Sequence, residues 1–181
     1  MKKYKLIYAD PPWQFKNKNT GGSMKSGAAA QYNVMTIEDL KAMDIQSICD
    51  DDCVLIMWWV GSMPQEAIDL CSAWGFTLKN MNGLVRRKLT KNLLDFFGMG
   101  WWTRAGSESA IIATKGKPKP LSRSIRAVQS FAVREHSRKP DEFRDLAVEL
   151  VGDVPRLEMF ARQKTDGWDV FGNEVEDSIN I

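Results

Sequence analysis

Seven apolar residues follow one another without interruption at Val54–Val60. A run of this length with no polar alternation is typical of a strand that is buried on both faces. Such a strand lies inside a sheet that helices cover on both sides. The run is also far shorter than the ~20 apolar residues that cross a bilayer, so we expect no membrane segment.

Other short apolar segments alternate with helical patterns along the chain. Thr36 with Asp39 and Ser62 with Gln65 fit capping boxes, and Pro140 opens a third helical pattern. This alternation predicts an α/β fold with a largely parallel sheet and helices on both faces. The other strands are expected at Lys5–Asp10, Phe76–Asn80, Leu84–Val85, Glu108–Thr114, Arg156–Phe160 and Trp168–Phe171.

The length of 181 residues suits one domain with its own core, and no internal repeat or boundary divides it. We therefore expect residues 1–181 to form a single domain. Residues Asn17–Ala30 are rich in Gly, Ser, Asn and Lys, which predicts a mobile loop at about 15–33. The polar residues after 175 predict a flexible tail.

The cysteines favour a reduced, cytoplasmic protein. There are three, Cys49, Cys53 and Cys71, with no CxxC pair, so neither a disulfide framework nor a metal site is expected. His136 is the single histidine. The N-terminus, Met1-Lys2-Lys3-Tyr4, lacks the apolar stretch of a secretory signal.

Basic residues concentrate in the middle of a chain whose net charge is only +2. Eight Lys or Arg accompany one acid between Lys115 and Lys139, and six accompany one acid between Lys79 and Arg104. This distribution suggests a positive face that binds a polyanion, while an ordinary solvated surface is the alternative. The candidate nucleic-acid-binding residues are Arg86, Lys88, Lys115, Lys117, Lys119, Arg123 and Arg126.

The tetrapeptide Asp10-Pro11-Pro12-Trp13 directly follows the first predicted strand. Ligands of open α/β sheets bind beyond the carboxyl ends of the strands, so this segment reaches the expected site. The Asp10 carboxylate and the Pro11 carbonyl can accept the two N–H groups of an aromatic amine, and Trp13 offers a stacking face. The alternative is a Pro-Pro turn in which Trp13 only caps the core.

Several motifs, in the same order along nearly the whole chain, resemble the MT-A family of adenine-N6 methyltransferases, whose bacterial and phage members often act on DNA. The resemblance implies a Rossmann-like methyltransferase domain that uses S-adenosylmethionine. The motifs that carry it are Asp10-Pro11-Pro12-Trp13, Gln31-Tyr32-Asn33-Val34-Met35-Thr36, Gly98-Met99-Gly100-Trp101-Trp102-Thr103-Arg104, Ala113-Thr114-Lys115-Gly116-Lys117-Pro118, Arg134-Glu135-His136-Ser137-Arg138-Lys139-Pro140-Asp141-Glu142, Leu157-Glu158-Met159-Phe160-Ala161-Arg162 and Gly167-Trp168-Asp169-Val170-Phe171-Gly172-Asn173-Glu174.

The resemblance also implies roles for individual residues. The catalytic set would be Asp10, Pro11, Pro12, Trp13 and Tyr32, with Tyr32 in a loop that closes over the target base. The cofactor would be held by Asp10, Lys139, Glu158, Arg162, Asn173 and Glu174. Purely structural interpretations remain for some of these positions. Lys139 could lie on the surface at the start of a helix, Glu158 and Arg162 could form a surface ion pair, and Asn173 could belong to an ordinary turn.

One departure concerns the strand Arg86-Arg87-Lys88, where the family usually has an aromatic-x-Lys pattern. An arginine there either weakens stacking on the substrate base or moves the stack onto a guanidinium plane. The interpretation favoured by the sequence is a DNA adenine-N6 methyltransferase of bacterial or phage type. The alternatives are the same chemistry on RNA, methylation of another amine, and a non-catalytic nucleic-acid-binding subunit; a homodimer or a paired subunit is compatible with each.

Overall fold

A computed structural model of the chain describes residues 2–14, 35–100, 102–132, 139–179 and 181. The loop expected at about 15–33, with the candidate residue Tyr32, lies outside the described residues, as does His136. Within the described ranges, the elements in chain order are β1 (Tyr4–Ala9), α1 (Ile37–Ala42), α2 (Ile45–Ile48), β2 (Cys49–Trp59), α3 (Pro64–Ala73), β3 (Thr77–Leu89), β4 (Ser107–Lys115), β5 (Val128–Ala132), α4 (Glu142–Val151), β6 (Arg156–Met159) and β7 (Asp169–Phe171).

The strands form one seven-stranded sheet in the order β5-β3-β4-β2-β1-β6-β7. Strand β4 runs antiparallel to both of its neighbours, whereas every other pair is parallel. The expectation of an α/β fold with a largely parallel sheet is therefore confirmed, although the sheet is mixed. Strand β4 is reversed because it follows β3 through a hairpin connection, which requires no crossover to the other edge of the sheet.

Helices pack on both faces of the sheet, as predicted. Alternate residues of a strand point to opposite faces, so Leu55 of β2 packs in one cluster and Ile56 in the other. The first cluster receives Leu70 of α3 and Leu40 of α1, whereas the second receives Phe143 of α4. The unbroken apolar run of β2 follows directly from this double coverage.

The helix boundaries test the capping predictions. Thr36 caps α1 and makes the expected reciprocal bonds with Asp39. The predicted capping box at Ser62 is wrong, because Met63 is the N-cap of α3 and makes no side-chain cap bond. Pro64 instead begins that helix, where a missing N–H costs nothing.

Three further elements differ from expectation. The predicted strands at 76–80 and 84–85 are one long strand, β3, whose register shifts in its middle. Helix α2 and strand β5 were not predicted.

No helix in the described part of the chain is long and apolar enough to cross a bilayer. In the segment after residue 175, the backbone N–H of Ser178 donates to the Val170 carbonyl, and the Ser178 hydroxyl accepts from the Val170 N–H.

Candidate active site

A cavity of about 350 Å³ opens at the edge of the sheet where the parallel strands end. Strand β1 ends one residue before Asp10, and β2 ends at Trp59. Because β4 is antiparallel, its beginning rather than its end lies at this edge. The lining combines three indoles, three charged side chains and three small polar ones: Trp13, Trp58, Trp59, Asp10, Glu108, Lys139, Asn82, Ser107 and Ser109.

The segment after β1 is held tightly on the cavity rim. The N–H of Trp13 donates to the Pro11 carbonyl at 2.8 Å and closes a three-residue turn. The indole Nε1 of Trp13 donates to the carbonyl of Trp58 at 3.0 Å. Trp13 is only 5% exposed, so it both packs in the core and lines the cavity. The two readings of this tryptophan from sequence are therefore both compatible with the structure.

Asp10 and Lys139 form an ion pair inside the cavity. Nζ of Lys139 lies 2.9 Å from Oδ2 of Asp10 and 5.2 Å from the ring centroid of Trp58. Burial acts to lower the pKa of Lys139, but the charges of Asp10 and Glu108 outweigh burial and raise that pKa. Lys139 is therefore a cation at neutral pH, held between a carboxylate and an aromatic face.

Glu108 holds several cations together, a role that the sequence did not reveal. Its carboxylate lies 3.1 Å from Nη1 of Arg86, 3.0 Å from Nζ of Lys88 and 3.9 Å from Nζ of Lys139. Burial acts to raise the pKa of Glu108, but Lys139, Lys88 and Arg86 outweigh burial and hold the pKa below its usual value. The cavity thus contains an alternating network of charges.

Three of the predicted cofactor residues, Glu158, Arg162 and Glu174, lie in ion pairs outside the cavity lining. Arg144 donates to both carboxylate oxygens of Glu158, at 2.7 Å and 2.8 Å, and Glu158 is buried. Nε of Arg162 lies 3.9 Å from Oε1 of Glu174. The alternative reading of Glu158 and Arg162 as partners of each other is wrong, because the structure pairs them with Arg144 and Glu174.

These residues nevertheless lie in or just after β6 and β7, the two strands next to β1 on one side of the sheet. Glu158 lies in β6, Arg162 follows it, and Asn173 and Glu174 follow β7. Neighbouring strands are ~4.8 Å apart, so β7 lies roughly 10 Å from β1 along the sheet. Asn173, Glu174 and Arg162 are exposed. The predicted cofactor residues therefore occupy one edge of the sheet, beginning at Asp10.

The candidate nucleic-acid-binding residues are divided between different places. Arg86 is only 3% exposed and Lys88 is largely buried, and both bind Glu108. Lys115 lies at the end of β4, six residues or ~20 Å from the cavity-lining Ser109. Lys117 lies beside it, where its N–H donates to Asp52. The exposed Lys119, Arg123 and Arg126 lie in the connection between β4 and β5.

The family of this chain follows from sequence comparison over nearly its whole length. The sequence model of the MT-A70 family matches residues 4–174. The chain belongs to the MT-A70 family. This membership confirms the resemblance inferred from the motifs and identifies the domain as a member of an N6-adenine methyltransferase family.

Relatives of this MT-A70 domain differ greatly in length. The type II methyltransferase M.MunI of a Mycoplasma species is 32% identical over 98% of this chain and 80% of that protein. The human N(6)-adenosine-methyltransferase catalytic subunit METTL3 is 22% identical over 96% of this chain. A Drosophila melanogaster MT-A70-like N(6)-adenosine-methyltransferase is 23% identical over the same share. The chain spans only 28% and 27% of these two eukaryotic proteins.

Sequence reasoning missed most of the cavity walls of this MT-A70 domain. Ligands of open α/β sheets bind beyond the carboxyl ends of the strands, which led from β1 to Asp10. The end of β2 supplies Trp58 and Trp59 to the same cavity. Glu108 carried a weak signal as a carboxylate at the start of a predicted strand. Asn82 carried none, since it lies within an irregular part of β3.

Proposed function

We propose that this MT-A70 domain transfers the methyl group of S-adenosylmethionine to the N6 amine of adenine in DNA. The observation that carries the proposal is the cavity beside Asp10, with indoles on its walls and the Lys139 ammonium 2.9 Å from the Asp10 carboxylate. An aromatic base can stack on an indole of the cavity wall, and a carboxylate at the rim can accept an amine N–H. This combination suits an aromatic amine better than a hydroxyl or thiol substrate.

Asp10 and Pro11 orient the amine. The lone pair of an adenine amine is delocalised into the ring, so the amine is a poor nucleophile unless its N–H groups are held. Lys139 binds Oδ2 of Asp10, and Oδ1 accepts one N–H of the amine. The Pro11 carbonyl uses one lone pair for the Trp13 N–H and accepts the other amine N–H with its second lone pair. Both acceptors also stabilise positive charge as it develops on nitrogen.

The charged groups suit the proposed cofactor. Its methionine end carries both a carboxylate and an ammonium group, and Lys139 and Asp10 offer one partner of each sign. When bound, S-adenosylmethionine supplies an electrophilic methyl group on a sulfonium. Arg162, Asn173 and Glu174 are exposed donors and acceptors at the adjoining strand ends, where they would hold the ribose and adenine. We assign Glu158 a smaller part in cofactor binding, since both of its carboxylate oxygens accept hydrogen bonds from Arg144.

DNA is favoured over RNA as substrate for two reasons. Bacterial and phage members of the family often act on DNA, and M.MunI, which the chain matches over 80% of its length, is a type II methyltransferase. RNA is the second candidate, because the eukaryotic relatives are named N(6)-adenosine-methyltransferases. In either case the base must leave its stack to enter the cavity.

The decisive experiment is methyl transfer to defined DNA and RNA, followed by digestion to nucleosides and identification of the modified base. We expect N6-methyladenine in DNA. Asp10→Ala should reduce turnover at least 10²-fold, as expected for loss of an orienting and charge-stabilising group, while the protein stays folded. Asp166→Ala, at an exposed position outside the cavity, is the matched control and should retain full activity.

Each alternative gives a different result. Modified adenine only in RNA identifies the RNA enzyme, and a different modified nucleoside or a methylated protein identifies another amine. No equilibrium binding of labelled S-adenosylmethionine identifies a non-catalytic subunit. Turnover by Asp10→Ala within a few-fold of the wild type contradicts the orienting role of Asp10.

A further inference from the structure

The connection between β3 and β4 exposes an unusual concentration of large apolar side chains. Trp102 is fully exposed, and four others in this connection are about two-thirds or more exposed. Several large exposed apolar side chains in one connection are typical of a binding site for a partner. We call residues 90–106, which are described except for position 101, the apolar hairpin. Its exposed apolar residues are Leu93, Leu94, Phe97, Met99 and Trp102.

The apolar hairpin folds back on the end of β3 and on the residues just before β4. The N–H of Phe96 donates to the Lys88 carbonyl, and the N–H of Gly98 donates to the Ala105 carbonyl at 3.0 Å. A Cβ atom at Gly98 would collide with the Ala105 carbonyl oxygen, so glycine allows the two segments to approach closely. The apolar side chains are therefore presented on a hydrogen-bonded projection.

The projection begins at the cavity rim. Ser107, Glu108 and Ser109, which line the cavity, directly follow its last residue. Lys88, which binds Glu108, lies two residues before its first residue. A polymer with one base in the cavity therefore has the apolar hairpin close to the residues that contact that base.

The charges on the hairpin are predominantly positive. Lys91 and Arg104 are exposed cations, and the guanidinium of Arg104 lies 4.9 Å from the ring centroid of Phe97. Asp95 is the only acid between residues 90 and 106 and forms an ion pair with Arg87 at 2.6 Å. Exposed apolar side chains flanked by cations match a polymer with stacked bases inside and phosphates outside.

We propose that the apolar hairpin inserts side chains into the base stack of duplex DNA beside the target adenine. This inference rests on the proposed function, because it concerns how the same cavity receives its base. Extruding a base from a duplex costs unstacking and unpairing energy. Apolar side chains such as Phe, Met and Leu wedge between base steps in DNA-bending proteins and partially unstack them. A side chain inserted beside the target adenine would occupy the space that the extruded base leaves. Phe97, Met99 and Trp102 are the candidate wedge residues.

The test compares substrates that differ only in how easily the target base leaves the stack. Three substrates carry the mapped target adenine: a matched duplex, the same duplex with an abasic site opposite the adenine, and the single strand. The variants are Trp102→Ser and Phe97→Ser, whose exposed side chains leave the core intact. Leu121→Ser is the matched control, since Leu121 is equally exposed but lies in the β4–β5 connection.

For the wedge variants, we expect kcat/KM on the matched duplex to fall 10-fold or more. On the abasic duplex and the single strand, their kcat/KM should stay within about threefold of the wild type, because those substrates need no wedge. The control should match the wild type on all three. This rescue by an abasic site separates a wedge from a structural role, which would lower activity on every substrate.

The contrary outcomes are equally distinct. Unchanged activity on the matched duplex, or equal loss on all three substrates, overturns the wedge while leaving methyl transfer established. If equal loss is accompanied by a shift from dimer to monomer in sedimentation, the hairpin instead binds a second copy of the chain. No methylation of any DNA by the wild type overturns the proposed DNA function and the wedge together.

Discussion

Replacing Glu108 with glutamine removes a negative charge from the centre of the cavity and preserves the shape of the side chain. Arg86 is 3% exposed, so the variant leaves its guanidinium buried without the carboxylate 3.1 Å away. Removing one partner of a buried ion pair costs about 3–5 kcal/mol, and we expect about 3 kcal/mol because glutamine keeps an acceptor oxygen. In a domain of this size, that loss lowers the unfolding temperature by about 6–12 °C.

A double-mutant cycle isolates the interaction of Arg86 with Glu108. Urea and thermal unfolding are measured for Glu108→Gln, Arg86→Met and the double variant. The double variant should lose less stability than the sum of the single variants, with a coupling of about 1–3 kcal/mol, because the two side chains share one interaction. Additive effects, or a change below about 1 kcal/mol in Glu108→Gln, would refute the assignment of Glu108 as a charged partner that stabilises the buried Arg86.

The pH dependence of the stability difference between wild type and Glu108→Gln tests the same ion network. The folded protein holds the pKa of Glu108 below its usual value, so this group stabilises the fold above its unfolded pKa of about 4.3. The stabilisation is lost as the pH falls through the folded-state pKa. The difference between wild type and Glu108→Gln should therefore be constant from pH 6 to 8 and shrink on acidification below about pH 4.5. A difference that grows on acidification would contradict the ion network.

Three further expectations follow from the charged groups. Lys139→Met should weaken equilibrium binding of labelled S-adenosylmethionine at least 10-fold, because it removes the cation that we propose faces the cofactor. Arg144→Met should reduce the free energy of urea unfolding by about 3 kcal/mol, since it leaves the carboxylate of Glu158 buried without its partner. DNA affinity should fall steeply with salt concentration, and a plot of the logarithm of affinity against the logarithm of salt concentration gives the slope. The double variant Lys115→Gln, Lys117→Gln should leave this slope unchanged, whereas each lost phosphate contact would reduce its magnitude by about 0.9.

The sequence predicted the parts of the fold that local pattern determines. The apolar run of β2 and the diproline after β1 indicated a doubly covered sheet and the place of its binding edge. Strand β5 was missed because it is a short edge strand that is stabilised by pairing with β3. A partner so far away in the sequence leaves no local signal at Val128–Ala132.

The burial of Arg86 shows why charge patterning was less reliable than apolar patterning. Counting basic residues placed Arg86 on a surface, but the register of β3 and β4 sets it directly opposite Glu108. Lys115 was named in the same group of basic residues, and β4 carries it to the end of the sheet opposite the cavity. Neither position could be deduced from the spacing of charges, because strand register and direction determine both.

The reversed direction of β4 gives the domain a modular architecture. Residues 109–115 are anchored to β2, from the pairing of Trp59 with Ser109 to that of Cys53 with Lys115. Insertions or deletions between residues 90 and 106 therefore leave β1 and its diproline in place. Exchange of this segment is therefore compatible with an unchanged position of the cavity walls that β1 and β2 supply.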